Sequence, residues 1–472
     1  MPQTIHFISI GGSATHNLAL ALQQQGFIVT GSDDEIHEPS RTRLAQRGLL
    51  PAETGWFPAN IHVSLDAVIV GMHTHKDNPE LAKAQELGLP ICSYPEYIYQ
   101  QSRQKQRVVI AGSHGKTTIT SIILHVLKYY HRTFDYLIGA QIDGFETMAQ
   151  LTTDAPIIII EGDEHASSSI DPRPKFLHYQ PHIALISGIA WDHVNIYPTW
   201  DEYVDQFELL AEGMPKAGIL IFDETDDMLD VIGQKERADI TKIPYEAHPS
   251  EIINGRTCLI TKQKAKIPVL LFGEHNMKNM AGALTVLDRI GITEAQFYEA
   301  IPTFKGAERR LEKVAEGPGA SVGKPHSAQH GSTNRILFRD FAHSPSKVEA
   351  TTEAVKHQYS GQKLLAAVEL HTFSGLSRAF LDQYKGCLDA ADEAVVYVNT
   401  QPFATERLEP ITPDDVIVAF DRPNLRVFTN TAELQAHLLS QRDAAEIFLL
   451  MSSGTFDGME LDILAEKLIT GV

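Results

Sequence analysis

Residues 107–121, RVVIAGSHGKTTITS, leave the backbone few choices. Val108, Val109 and Ile110 form a short apolar run, Gly112 and Gly115 interrupt it, and a helical spacing of apolar residues follows through Ile122, Ile123, Val126 and Leu127. The pattern predicts a strand, a glycine turn and a helix start. Such a turn aims backbone N–H groups of Gly112, Ser113, His114 and Gly115 into one concavity, and the helix N-terminus adds the positive end of its dipole. Lys116 supplies a point charge, and Thr117, followed by Thr118, supplies a hydroxyl suited to Mg2+. Phosphate is the ligand that uses all of these. The usual phosphate loop carries a glycine five residues before the second one, and that position is Ile110, so this loop is the shorter G-x-x-G-K-T-T. A chance turn and helix cap has the same look, and the loop alone leaves both readings open.

Composition narrows the class of partner. Forty basic and 60 acidic residues give a formal charge of −20, which disfavours nonspecific binding to nucleic acid or to an anionic membrane. An anionic small ligand then needs local basic or glycine-rich pockets. Cys92, Cys258 and Cys387 are far apart and in no metal-ligand spacing, as expected of a reducing compartment. No apolar run approaches the length of a membrane span, and the start MPQTIHFISIGG has no signal-peptide pattern, so the expected location is cytoplasmic.

A chain of 472 residues suggests about three domains. TIHFISI (4–10) reads as a buried strand turned by Gly11 and Gly12, with Ser13 opening a helix and GFIVTGSDD a second strand ending near Asp33. LDAVIVGM and LPICSYP continue the pattern, and the polar stretch QQSRQKQR reads as a bridge to the next region. There APIIIIEGDE and HIALISGIAWDH are apolar strands that end in Glu161–Glu164 and in Asp192 and His193, the ligand edge of a parallel sheet. RILFRDFAHSP, KLLAAVELHTFSG, ADEAVVYVN and EIFLLMSSGTFDG form a third series of strands followed by polar loops. The expected fold is α/β, with Rossmann-like N-terminal (1–105) and C-terminal (305–472) domains around a central phosphate-loop domain (106–304). The Gly-, Ser-, Pro- and His-rich stretch 316–334 reads as a mobile loop rather than a metal site.

The constellation resembles the Mur ligases, ATP-dependent amide-bond enzymes of peptidoglycan assembly. GSHGKTT is similar to their G-[TS]-[HN]-G-K-T-T loop, EGDE to E-A-D-E, WDH to the metal-binding D-H, GEHNMKNM to G-x-H-N-x-x-N, GAERRLE to G-x-x-R-R-x-E, and RDFAHSP to D-[FY]-[AG]-H-x-P. Six motifs stand in the family's order. The resemblance implies ATP and Mg2+ as cofactors: Lys116 on the β- and γ-phosphates, Thr117, Glu161 and His193 as metal ligands, His275 and Asn276 on the nucleotide, and Arg310 and Asp340 reaching ATP from the third domain. Lys116, Glu161, His193 and Arg310 are the implied catalytic residues. They would carry the γ-phosphoryl group to a substrate carboxylate, and an amine would then displace phosphate.

IHFISIGG resembles the start of the ligases that take UDP-N-acetylmuramate, with Ser9 where glycine is common, and HTHKDNPEL resembles their D-N-P-E segment. Gly11, Gly12, Ser13, Asp33, His73 and Asn78 are the implied sugar-nucleotide contacts, although the glycine loop and Asp33 alone also suit a dinucleotide oxidoreductase. DPRPKFLHYQP (171–181) resembles the D-x-R-x-K-F-x-H-Y-x-P insertion of the branch that adds the tripeptide L-alanyl-γ-D-glutamyl-meso-diaminopimelate in peptidoglycan recycling. Arg173, Lys175 and Arg378 are the expected partners of that peptide's carboxylates. The alternatives are the branch that adds L-alanine and a noncatalytic sugar-nucleotide binder, in either case a monomer or homodimer. MSSGTFDGM resembles M-S-N-G-G-F-G-G and leans toward the tripeptide-adding branch; the departures are Gly188 for a family asparagine, Ala190 for a glutamate, and ELHTFSG, which does not match E-P-R-S-N.

Overall fold

The computed structural model describes residues 3–72, 74–318, 334–405 and 408–470. Most of the 316–334 stretch therefore lies outside the described residues, and so does His73. Three large sheets carry the chain. The first is parallel, in the order Ile28–Ser32, Thr4–Ile8, Ala67–Val70, Ile91–Ser93. The expected strand TIHFISI stops at Ile8 because Ser9 turns into the left-handed region, φ 68°.

The second sheet has seven strands, in the order Thr241–Tyr245, Ile219–Asp223, Ile183–Ile186, Gln106–Ala111, Ile157–Glu161, Asp135–Leu137, Ala149–Gln150. All pair in parallel except the last. Val108–Ala111, Ile158–Ile160 and Ile183–Ile186 are buried throughout, as strands of a parallel sheet covered on both faces must be. Gln106–Ala111 lies centrally, so the glycine loop after it emerges between the carboxyl ends of the strands that finish at Glu161 and Ile186. That register puts the motif residues of three strands at one edge.

The third sheet runs Glu312–Pro318, Asn334–Asp340, Ile447–Met451, Leu364–Leu370, Glu393–Val398, Arg426–Phe428, parallel except for the first pair. Alternate residues of its strands feed two cores, Ile336, Phe338, Val368 and Leu449 on one face and Leu337, Leu365, Val395 and Phe448 on the other. Ser250–Ile253, Arg256–Ile260 and Lys266–Pro268 make a small antiparallel sheet, and Ala166–Ser168 pairs with Asp171–Pro174. The chain divides into two compact units. One (residues 1–189, 204–246 and 281–300) holds the first two large sheets; the other (190–203, 247–280 and 301–472) holds the small antiparallel sheet and the third large sheet.

The stretch QQSRQKQR is not a solvated bridge. Arg107 is buried, its Nε donating to Tyr179 O (2.7 Å), Nη1 to Ser102 O (3.0 Å) and Nη2 to Gln180 O (3.1 Å). Lys105 is buried as well, 2.7 Å from the fully buried Asp135 carboxylate and 2.6 Å from Thr152 O. Asp135 in turn accepts from Thr152 N (3.0 Å) and Oγ1 (2.8 Å), which pins the strand Asp135–Leu137 to the loop after Ala149–Gln150. Lys105→Met leaves that carboxylate buried without its cation and should cost about 3–5 kcal/mol, read as a lower denaturant midpoint. The double variant Lys105→Met/Asp135→Leu should recover much of the loss; equal midpoints for wild type and Lys105→Met would show the pair to be inert.

Candidate active site

The loop after Gln106–Ala111 is built on two left-handed glycines. At Gly112 (φ 128°) a Cβ would come within 2.4 Å of Ser187 Oγ and 2.9 Å of Ser187 N; Gly115 (φ 77°) is the N-cap of the helix Lys116–Tyr129. L residues rarely adopt these angles, and at Gly112 there is also no room. Ser113 N donates to Gly188 O (2.9 Å), and Ser187 Oγ donates to His114 O, so the end of Ile183–Ile186 clamps the loop. Gly188 explains its own departure from the family pattern. Its φ is 151°, and a Cβ there would sit 2.3 Å from His114 Cε1, so the His114 ring fills the space that a side chain at 188 would need.

Lys116 Nζ donates to Gly112 O (2.6 Å) and to Glu164 Oε2 (2.6 Å), with Glu164 almost completely buried. Burial alone would push the ammonium down; the carboxylates of Glu164, Asp163 and Glu161 outweigh it and raise Lys116 above the usual lysine range. Thr117 Oγ1 donates to Glu161 Oε1 (2.7 Å), whose other oxygen accepts from Gly139 N (2.7 Å). A hydroxyl and a carboxylate oxygen at this separation, beside a phosphate-type loop, form a hard-oxygen donor pair that fits Mg2+. Asp163 is held well below the usual carboxylate range because Lys175 (2.7 Å) and His165 (2.5 Å) outweigh its burial.

In the first sheet, Gly12 is the N-cap of the helix Ser13–Gln24, with Ser13 exposed at its first turn. Gly11 N donates to Asp33 Oδ2 (2.7 Å). Ser9, left-handed where the family has glycine, is steadied by Thr74 Oγ1 on its hydroxyl (2.8 Å) and Thr15 Oγ1 on its carbonyl (2.7 Å). Asn78 is buried, and its Oδ1 caps the helix Pro79–Glu86 by accepting from Glu80 N (2.9 Å) and Leu81 N (3.2 Å).

Arg310, Asp340, His275, Asn276 and His193 belong to the second unit. The Arg310 guanidinium lies 4.3 Å from the Phe341 ring centroid. Asp340 accepts from Ala342 N (2.7 Å) and Leu311 N; burial raises its carboxyl, against the pull of Arg310 and of these N–H groups. Burial pushes His275 down to about 4, and Asn276 Nδ2 donates to Phe272 O (2.9 Å). His193 is left-handed (φ 56°), and its N–H donates to Asp192 Oδ1 (2.8 Å). Asp192 also meets Lys347 (3.3 Å) and His343 (3.8 Å), two residues that the motif reading did not single out. His343 stands inside the quoted AHSP motif and was legible there; Lys347 follows in the first turn of the helix Pro345–Gln358 and carries no signal of its own. Glu164 was likewise legible only as the end of an acidic cluster, since its pairing with Lys116 is a tertiary contact.

Residues 4–106 match the description "Mur ligase family, catalytic domain" and residues 110–287 match the Mur ligase middle domain. The chain belongs to the Mur ligase family. This Mur ligase is an ATP-dependent enzyme that forms C–N bonds, with the three-domain α/β architecture of its relatives. It is 27% identical to the UDP-N-acetylmuramate–L-alanine ligase of Nitrosospira multiformis, over 96% of this chain and 92% of that one. It is 26% identical to the UDP-N-acetylmuramate–L-alanyl-γ-D-glutamyl-meso-2,6-diaminoheptandioate ligase of Haemophilus influenzae, over 98% of each chain. A murein peptide ligase structure from Psychrobacter arcticus shares the fold, with a TM-score of 0.65 at 23% identity over 98% of this chain and 99% of that one. Ligases of the two amine classes therefore stand at nearly equal distance.

Asp33 gives the site a measurable pH signature. Burial pushes its carboxyl up to about 6, with the Asp34 carboxylate adding to the rise and the Gly11 N–H opposing it. Between the ordinary carboxylate value and 6, the folded chain holds a proton that the unfolded chain has lost, so stability falls as pH rises through this window. Asp33→Asn should accordingly raise the unfolding temperature relative to wild type at pH 7 and not at pH 4. The same difference at both pH values would refute the assignment.

Proposed function

We propose that this Mur ligase joins UDP-N-acetylmuramate to the tripeptide L-alanyl-γ-D-glutamyl-meso-diaminopimelate through an acyl phosphate, a reaction of peptidoglycan recycling in the cytoplasm. The observation that carries the reading is the segment 171–181. Its residues Asp171–Pro174 pair with Ala166–Ser168, and Lys175–His178 follow as a helical turn. Lys175 is tied to Asp163 within the acidic segment that supplies Glu161 and Glu164. The tripeptide-type insertion is thus built onto the strand end that holds the loop lysine.

In this reading Gly11, Gly12, Ser13, Asp33, His73 and Asn78 receive the sugar nucleotide. The amides of Gly112–Thr118 and the Lys116 ammonium receive the ATP phosphates, Glu164 yielding Lys116 to them. Thr117 and Glu161 would hold one Mg2+, and Glu161 with His193 a second; the metal would supply charge neutralisation on the transferring group. His275, Asn276, Arg310 and Asp340 keep the nucleotide roles that the motifs give them. Lys116→Ala should abolish measurable ATP use, and Glu161→Ala should cut turnover about a hundredfold or more, with sugar-nucleotide binding retained in both. Near-normal phosphate release in either variant would refute its role.

Arg173, Lys175 and Arg378, the expected partners of the peptide carboxylates, are already engaged. Arg173 pairs with Asp171 (2.7 Å), Lys175 with Asp163 (2.7 Å) and Arg378 with Asp415 (2.8 Å). A peptide carboxylate would have to compete with these carboxylates. The 27% identity to the Nitrosospira enzyme over nearly the whole chain supports the second reading, addition of free L-alanine. Phosphate release with UDP-N-acetylmuramate, Mg-ATP and either amine separates the two. The tripeptide should be preferred by about tenfold or more in kcat/KM. Equal or better use of L-alanine would move the enzyme to the alanine-adding branch.

A further inference from the structure

Within the first unit, a buried carboxamide joins the first sheet to the edge of the second. Asn17 lies one turn into the helix Ser13–Gln24 and is 2% exposed. Its Nδ2 donates back to Ser13 O (2.8 Å), the local partner that such side chains find in helices, and also reaches Met148 Sδ (3.6 Å). Its Oδ1 is used across the sheets, accepting from Met148 N (3.0 Å) just before the edge strand Ala149–Gln150. Arg43, on the helix Ser40–Gln46 of the same sheet, reaches the same segment, its Nη2 donating to Gln141 Oε1 (3.2 Å).

The connection continues to a carboxylate of the phosphate loop. Met148 O accepts from Ile138 N (2.9 Å), extending the antiparallel pairing of Leu137 with Ala149. The next residue, Gly139, donates its N–H to Glu161 Oε2 (2.7 Å), while Thr117 Oγ1 donates to Oε1 (2.7 Å). A Cβ on Gly139 would stand 3.0 Å from Glu161 Oε1, so the peptide lies this close to the carboxylate because no side chain intervenes. Met148 is thus held at its N–H by Asn17 and at its carbonyl by Ile138, and a shift of Met148 strains the peptide that orients Glu161. Hydrogen bonds to a ligating carboxylate fix which of its lone pairs face a metal, and their loss weakens the metal without removing a ligand.

We propose that Asn17 is a positioning residue for Glu161: by fixing Met148 it sets the Gly139 N–H that orients the metal-binding carboxylate. It does so from the helix whose first turn carries the sugar-nucleotide residues Gly12 and Ser13, and so holds the two substrate sites in register. The inference rests on the Mg2+ and sugar-nucleotide roles given under the proposed function and extends them to a residue that touches neither ligand.

The test titrates Mn2+, in place of Mg2+, into enzyme saturated with a non-hydrolysable ATP analogue, with free Mn2+ read by electron paramagnetic resonance. Glu161→Gln identifies the ion in question as the one this variant fails to bind. If Glu161→Gln binds Mn2+ as wild type does, the metal role of Glu161 falls and the inference with it; if it loses the ion, Asn17 is judged separately. Asn17→Ala should then weaken that ion about tenfold or more, and Gly139→Ala, which presses on Glu161 from the other end of the connection, should do the same. Leu229→Ala truncates the core under the helix Asp227–Gln234, which packs on Ile219–Asp223, three strands from Ile157–Glu161. It should lower the unfolding temperature yet keep Mn2+ affinity within about twofold of wild type, which separates positioning from general loss of stability. Should Asn17→Ala not fold, Asn17→Ser, with a side chain too short to reach Met148, takes its place. Unchanged Mn2+ affinity in a folded Asn17 variant, or an equal loss in Leu229→Ala, overturns the proposal.

Discussion

The ion pair between Lys116 and Glu164 is the contact on which the edge of the second sheet depends. A lysine placed under a glycine loop is buried whether or not a ligand is present, and a buried ammonium without a counter-charge is costly. The acidic end of Ile157–Glu161 and its loop supply that counter-charge. Everything around the pair follows from the same balance. Thr117 binds Glu161, Asp163 is shared by Lys175 and His165, and the Lys116 chain also reaches back to Gly112 O to close the loop on itself. The site is thus held in shape by its own carboxylates.

Backbone strain is distributed in a way that fits this role. Gly112, Gly115 and Gly188 occupy the left-handed side of φ around the loop, and His193 stands in the left-handed region a few residues past Gly188. In the second unit, Arg309 and Leu311 are also left-handed, on either side of Arg310, which holds the Arg310 side chain over Phe341. Non-glycine residues in this region cost free energy and persist only where surrounding contacts fix them. Ser9 shows how: its carbonyl and hydroxyl are both bonded, by Thr15 and Thr74, and the chain tolerates a side chain where glycine would be free of strain. The departures from the family pattern at Ser9 and Gly188 are therefore accommodated by their local contacts.

Much of the architecture was legible before any coordinate. An apolar run such as IIII between turn residues suits a covered parallel strand, and a glycine pair followed by Lys-Thr-Thr at a helix start suits a phosphate, although only the accompanying motifs separated that reading from a chance turn and cap. Strand Thr241–Tyr245 was less legible because it is a half-exposed edge strand containing Pro244, which breaks the buried-strand pattern. The polar stretch before Gln106–Ala111 looked like a linker because composition reports charge and not burial, and Lys105 and Arg107 are charged residues with internal partners.

The sequence by itself determined the α/β class, the succession of strands, the glycine loop at a helix start and the family motifs, since each of these rests on local periodicity or on residues close together in the chain. Only the tertiary structure decided which charges neutralise one another and which side chains share an edge. Glu164 on Lys116, Asp135 on Lys105, Asp192 among His193, His343 and Lys347, and His371 against Ser453 all join residues from different strands or loops. The physical reason is that a parallel sheet sets which strand ends are neighbours, at either edge, by strand order, and strand order is a property of how separate segments pack, which no single segment encodes.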